Sequence, residues 1–170
     1  MTNNLYNQTY EQAMNMHESG ADQKEILYYI ASAAESVMGH GTATSILLLD
    51  KEGLLRNGAS PTLPDDYLQA IDGLKPNPNV GTCAAAAATG CIVITSSFFD
   101  DNKWGELRHL PLSLGYVGAW SVPIKTTDEK VLGTFGTYLS YSRRPSEEEL
   151  KGTALLAEAV AIVLTKSKAS

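Results

Sequence analysis

The sequence is poor in cysteine and histidine, with two cysteines and three histidines among 170 residues. The spacing of Cys83 and Cys91 matches neither a disulfide framework nor a zinc motif, and no histidine lies beside them in the sequence. We therefore predict two reduced thiols, and neither a metal site nor a bound cofactor.

Positive charge is also scarce, because 13 lysines and arginines stand against 19 acidic residues and the net charge is −6. Affinity for nucleic acid depends on clustered lysines and arginines that contact phosphates. The only basic pair, Arg143-Arg144, is followed at once by Pro145 and then by three glutamates. This composition excludes nucleic acid as a partner.

Long apolar runs and a basic leader are missing as well. The longest apolar stretches are too short to cross a bilayer, and the first residues lack the basic-then-apolar pattern of a secretory signal. We expect no membrane partner and a cytoplasmic location. With 44% hydrophobic and 19% charged residues, the 170-residue chain fits one compact domain.

Hydrophobic periodicity and turn residues predict an α+β domain. Asp22 with Glu25, and Ser146 with Glu149, have the spacing of capping boxes at helix starts. The predicted helices are 5–18, 64–71 and 147–166, together with one helix that Asp22 opens and one that begins at Thr82. The predicted strands are 44–49, 54–59, 92–94, 117–124 and 131–139.

The stretch 79–95 contains the most distinctive pattern, a Gly-Thr opening, five alanines, a Thr-Gly stop and an Ile-Val-Ile run. Ala favours helix, Gly supplies the left-handed cap and β-branched residues favour strand. Two interpretations remain open. The first turn of the helix presents free N–H groups to a ligand, or the alanines simply allow tight packing on a sheet.

Residues 95–115 form a long segment without a steady period, in which aromatic and charged residues are mixed. A long loop of this kind inside a compact domain is typical of a lid or another functional segment. We predict a lid here.

Several motifs, in this order, resemble the GAF domain family. They are Val80-Gly81-Thr82-Cys83, Thr89-Gly90-Cys91-Ile92-Val93-Ile94, Trp104, Ala119-Trp120-Ser121-Val122-Pro123-Ile124, Val131-Leu132-Gly133-Thr134-Phe135 and Arg144-Pro145-Ser146-Glu147-Glu148-Glu149-Leu150. The resemblance implies a six-stranded antiparallel sheet, with helices on one face and a ligand pocket with a lid on the other. It covers 22–168 of a single domain 1–170, in which 1–20 is an N-terminal helical extension.

The resemblance also implies which residues line the pocket. Carried over by position, they are Thr82, Cys83, Ala84, Ser96, Phe98, Trp104, Tyr116, Trp120 and Ser121. Ala84 replaces a glycine of the family pattern, and its methyl group narrows access to the backbone. The residues that bilin-binding and cyclic-nucleotide-binding members carry are absent, so an uncharged or small anionic effector is expected.

Two functions fit this resemblance, and a degenerate GAF domain that only dimerises is a third possibility. The first is a non-enzymatic sensory domain of bacterial signal transduction, with a histidine kinase or another signalling protein as a partner. The second is a thiol enzyme like the free methionine-R-sulfoxide reductases, and Cys83 at a helix N-terminus, where a thiolate is favoured, supports it. No cysteine follows Cys91 to act as that family's nucleophile, so we favour the sensor.

A homodimer through the terminal helices is the last expectation. The final helix is apolar almost all round from Ala157 to Leu164, and the first helix carries a stripe that begins at Tyr6. Two chains could cover these faces in a four-helix arrangement. The alternative is that the two helices pack on each other within one chain.

Overall fold

The computed structural model describes residues 2–39, 41–99 and 109–165. Its helices are α1 Thr2–Glu18, α2 Gln23–Met38, α3 Asp65–Ile71, α4 Thr82–Thr89, α5 His109–Ser113 and α6 Glu147–Thr165, and its strands are β1 Thr42–Leu49, β2 Leu55–Ala59, β3 Val93–Thr95, β4 Gly118–Lys125 and β5 Val131–Leu139. None of the described helices is long and apolar enough to span a membrane. The short helix α5 lies within the segment that showed no period.

The strands form one antiparallel sheet in the order β2-β1-β5-β4-β3. The prediction of six strands is wrong for the described residues, which contain five. Beyond these strands, Leu74 adds only an isolated bridge to Leu55. Pro76 and Pro78 follow this bridge, and since proline lacks an N–H, the segment is unsuited to a sheet ladder.

The long helices α2 and α6 cover one face of the sheet, which we call the helix face, and α1 packs on these two helices. The side chains of the helix face are large and apolar, and they include Trp120, Val122, Ile124 and Phe135, all buried. The indole N–H of Trp120 donates to the Thr153 hydroxyl on α6 at 3.3 Å. This face holds the larger of the two apolar cores.

The terminal helices pack on each other within the chain. Tyr6 on α1 is 1% exposed, and a Cβ added at Gly152 on α6 would overlap its ring. Val160 and Val163 of α6 are buried as well. The apolar faces that suggested a homodimer are therefore covered internally, and the dimer itself stays a prediction.

The start of α6 is fixed by the predicted capping box. Ser146 N–H donates to the Glu149 carboxylate at 2.8 Å, and Glu149 N–H donates to the Ser146 hydroxyl at 3.1 Å. Arg143 holds both oxygens of the same carboxylate, at 2.7 and 2.8 Å. The other predicted box is wrong, because Asp22 precedes α2 without a side-chain capping bond.

The opposite face of the sheet, which we call the α4 face, is covered by α3, α4 and the segments around them. The alanines of α4 from 84 to 87 are buried, and their small side chains allow the helix to lie close to β4 and β5. Gly90 ends α4 in the left-handed conformation, and its N–H donates to Ala86 O at 2.8 Å. The predicted helix and its glycine cap are confirmed.

Candidate functional site

Most of the predicted site residues meet on the α4 face. Thr82, Cys83 and Ala84 come from the first turn of α4, and Ser121 lies opposite them on β4. Their burial is almost complete, with Cys83 8% exposed and Ser121 fully covered. Phe98 and Tyr116 belong to the same group of packed side chains.

Cys83 lies at the centre of this face. The Ser121 hydroxyl donates to its sulfur at 3.5 Å, and a Cβ added at Gly136 on β5 would lie 2.8 Å from the same sulfur. A glycine at this position is therefore what lets the thiol approach the sheet. The sequence places small residues where helix and sheet come closest.

The environment of Cys83 keeps the thiol protonated. Burial raises its pKa, while the hydroxyls of Ser121 and Thr134 act in the opposite direction and are outweighed. Burial of the sulfur therefore acts against the thiolate that the helix N-terminus was expected to favour. Cys91, at the other end of α4, is exposed, and both thiols are free.

Two pairs of hydroxyl groups close the rest of the face. The phenols of Tyr67 and Tyr138 share a hydrogen bond of 2.6 Å, and the hydroxyls of Thr82 and Thr95 share one of 2.9 Å. Burial raises the pKa of both Tyr67 and Tyr138, so both phenols are neutral at pH 7. Tyr116 packs on Tyr138 with ring centroids 5.7 Å apart.

Thr134 differs from its neighbours because its buried hydroxyl makes no hydrogen bond of ordinary geometry. It is close enough to Cys83 to lower the pKa of that thiol, but it donates to none of the described groups. A buried hydroxyl without a partner is unfavourable, so this atom can accept or donate a hydrogen bond to a molecule that enters.

Three predicted residues lie elsewhere. Trp120 is on the helix face, since it pairs with Thr137 across the ladder and packs among the long helices. Ser96 lies at the end of β3, where its carbonyl accepts from the Ser142 hydroxyl at 2.9 Å. Trp104 lies outside the described residues.

The sequence reasoning missed five polar residues of the α4 face. They come from β1, β3, β5 and α3, and they are Ser45, Tyr67, Thr95, Thr134 and Tyr138. One signal was available on β5, where Thr134, Gly136 and Tyr138 alternate and so share one side of the strand. It was ambiguous because Thr137 on the other side is polar too.

Solved structures with this fold include domains of a sensor kinase, of a phosphotransferase and of a reductase. A domain assigned to a two-component sensor histidine kinase of Sinorhizobium meliloti has a TM-score of 0.67 at 21% identity, covering 82% of this chain and 89% of that one. The GAF domain of a Coxiella burnetii phosphoenolpyruvate-protein phosphotransferase has a TM-score of 0.76 at 14% identity, covering 96% and 95%. Free methionine-R-sulfoxide reductase of Neisseria meningitidis, in complex with its substrate, has a TM-score of 0.75 at 15% identity, covering 96% and 90%. These likenesses define an α+β GAF fold.

Sequence comparison identifies the family. The family model described as GAF domain matches residues 20–165. A methyl sulfide methyltransferase-associated sensor of Methanosarcina acetivorans is 37% identical over 134 residues, which are 78% of this chain and 13% of the sensor. The chain belongs to the GAF domain family, and it spans only a small part of the curated relative that it matches.

Proposed function

We propose that the chain is a sensory module that binds a small uncharged effector between α4 and the sheet. The observation that carries this proposal is a buried sheet face rich in hydroxyl and thiol groups. They belong to Ser45, Tyr67, Thr82, Cys83, Thr95, Ser121, Thr134 and Tyr138. None of these side chains has a formal charge at pH 7, so the face suits a ligand that donates and accepts hydrogen bonds.

The hydroxyls of this face already bond to one another, which affects how an effector would bind. Exchange of one buried hydrogen bond for another is nearly neutral in free energy, so an effector can take over the partners of Ser121 or Tyr138 at little cost. The Thr134 hydroxyl has no hydrogen-bond partner among the described residues, so a hydrogen bond from an effector to it would displace no existing bond. An effector that reaches Thr134 therefore gains most there.

The downstream partner and the cell compartment belong to the same proposal. We expect the module to signal to a histidine kinase or another signalling protein in the cytoplasm. Support comes from the sensor relative and from the histidine kinase among the structural neighbours.

A homodimer would use the outer surface of the terminal helices, where Leu5 is 45% exposed. Light scattering at tens of micromolar protein tests the dimer, and a monomer at that concentration would contradict it.

The enzyme alternative has one feature in its favour and two against it. The fold is similar to that of a free methionine-R-sulfoxide reductase. However, burial raises the pKa of Cys83, and thiol chemistry needs a thiolate. Cys91 also lies at the far end of the eight-residue helix α4. We propose a non-enzymatic role, and turnover of free methionine-R-sulfoxide with a thioredoxin system that disappears in Cys83→Ser would contradict it.

A matched pair of variants tests the effector site. Thr134 and Thr137 are buried threonines on β5, and they lie on opposite faces of the sheet. Neither hydroxyl has a hydrogen-bond partner among the described residues. Native mass spectrometry of the purified protein and a thermal-shift screen of small neutral metabolites would first identify compounds that stabilise the wild type.

Thr134→Val should reduce the stabilisation by such compounds, whereas Thr137→Val should leave it unchanged. Equal responses of the two variants would show that the compounds do not bind on the α4 face. Each variant is compared with its own melting temperature without compound, so a general change in stability does not affect the result.

A further inference from the structure

A separate cleft lies where the C-terminal end of α2 meets the start of β1 and the loop after β2. Its volume is about 630 Å³, which is within the range of small-molecule sites. The side chains that shape it are Tyr28, Ser32, Glu35, Ser36, Thr62 and Tyr116. The proposed effector site uses Tyr116 alone of these.

Glu35 gives this cleft a fixed negative charge. Its carboxylate accepts from the Thr44 N–H at 2.8 Å and from the Thr62 hydroxyl at 2.5 Å. These donors are neutral, and Glu35 forms no ion pair with the part of the chain that the structure describes. The carboxylate is therefore held in place while its charge stays uncompensated by described residues.

The end of α2 adds partial negative charge on the same side. The helix has 16 residues and ends at Met38, with Gly39 N–H donating to Glu35 O at 2.8 Å. The carbonyl end of a helix carries a partial negative charge and favours a cation. No lysine or arginine is among the described residues that line the cleft.

Two tyrosine rings complete the site. Tyr28 is 56% exposed, and Tyr116 is half-buried. Burial and the nearby Glu35 carboxylate raise the pKa of Tyr116, so its phenol stays neutral. Neutral aromatic rings attract cations, and quaternary ammonium groups are recognised in proteins by such rings.

We propose that this cleft binds a small organic cation with an ammonium group, at a site separate from the α4 face. The carboxylate supplies the ion pair, the end of α2 adds to the field, and the tyrosine rings contact the apolar surface of a methylated amine. The hydroxyls of Ser32 and Ser36 are placed to accept hydrogen bonds from an amine that keeps its protons.

Choline and 3,3-dimethyl-1-butanol test the proposal, because they have the same shape and differ in charge. In a titration of ¹⁵N-labelled protein, choline should shift the amide resonances of Ser32, Ser36, Gly39 and Gly41, and the neutral alcohol at the same concentration should not. Sodium chloride serves as the ionic-strength control. Absence of shifts at tens of millimolar choline, or equal shifts with the alcohol, would overturn the proposal.

Two variants and one control locate the charge. Glu35→Gln should weaken choline binding several-fold, whereas Glu158→Gln, an exposed carboxylate on α6 outside the cleft, should not. Tyr28→Ala should weaken it about fivefold through the lost ring contact. Since Tyr28 is exposed, this variant stays informative if Glu35→Gln fails to fold. Equal effects of Glu35→Gln and Glu158→Gln would show only long-range attraction and contradict a local site.

These results are independent of the effector proposal. Thr134→Val should leave choline binding unchanged, and Glu35→Gln should leave the response to neutral compounds unchanged. Loss of both ligands in both variants would mean that one site serves both, which would also overturn the proposal.

Discussion

The two faces of the sheet are both buried, but their chemistry differs. The helix face presents Trp120, Val122, Ile124 and Phe135, and one of its few polar groups, the Thr44 hydroxyl, donates to Ala31 O at 2.9 Å. The α4 face presents hydroxyls, phenols and a thiol among its apolar side chains. Burial of polar groups costs free energy unless they are hydrogen-bonded, and a core has no need of them.

This difference separates stability from recognition. We infer that the helix face supplies most of the apolar burial that holds the domain together. The α4 face keeps polar groups that contribute less to stability and are suited to binding a ligand. Substitutions on the two faces should therefore change different measurements.

The largest expected effect is the loss of the helix-face core in Trp120→Ala. Trp120 is fully buried, so truncation should lower the free energy of unfolding by about 3–5 kcal/mol. The response to an effector should persist in the fraction that stays folded. The family pattern placed Trp120 in the pocket, and in that case Trp120→Ala would alter ligand binding more than stability.

Ser121→Ala is the matched control, because Ser121 is the next residue on β4 and points to the α4 face. Urea unfolding should show a much smaller loss of stability, while thermal shifts with effector should decrease. A larger loss of stability in Ser121→Ala than in Trp120→Ala would contradict the division between the faces.

A smaller effect is expected when the α4 face is overfilled by Gly136→Ala. The added methyl group would lie 2.8 Å from the Cys83 sulfur, and overpacking of this kind costs about 1–3 kcal/mol. In a Cys83→Ala background the same substitution should cost much less, because the sulfur is gone. A double-mutant cycle of urea unfolding measures the coupling between positions 83 and 136. If the two changes in unfolding free energy simply add, the methyl group does not clash with the Cys83 sulfur.

Thr137→Val should produce a change of about 1 kcal/mol in the opposite direction. The hydroxyl of Thr137 is buried on the helix face and has no hydrogen-bond partner in the part of the chain that the structure describes. Replacing it by a methyl group removes that unfavourable burial. Chemical unfolding should show a gain in stability. A loss would indicate that the hydroxyl has a hydrogen-bonded water, and the two faces would then differ less than we infer.

The smallest effect comes from ionisation of the thiol and the phenols of the α4 face. It is absent at neutral pH and appears only in alkaline solution. Burial raises the pKa of Cys83, Tyr67 and Tyr138, so the folded state holds protons that the unfolded chain releases. The stability from these groups is complete below pH 9, the ordinary pKa of a cysteine thiol, and decreases as the pH rises above it.

On the helix face, burial is the main cause that raises the pKa of Tyr6 to about 12, so that residue adds to the same trend. Unfolding free energies measured from neutral pH into the alkaline range should therefore fall, and Cys83→Ala should flatten the first part of the decrease. An unchanged slope in Cys83→Ala would contradict the buried, protonated thiol.

The sequence predicted local structure better than the positions of side chains on the sheet. The alanine helix, its Gly90 cap and the Ser146-Glu149 capping box depend on neighbouring residues, and all are present. The face of Trp120 could not be predicted from period alone, because both sides of β4 are buried. Side-chain size was a signal that could have indicated the face of Trp120, since this large residue alternates with the small Ala119 and Ser121.

The sequence by itself determined the family, the α+β class and most helix and strand positions, because these follow from propensities, caps and motifs within short segments. Only the tertiary structure decided which polar groups meet under α4, that Cys83 is buried and protonated, and that α1 covers α6 within one chain. These properties depend on contacts between residues distant in sequence, such as Tyr67 with Tyr138 and Cys83 with Ser121. Burial and pKa values arise from those contacts, and the local pattern of residues does not contain them.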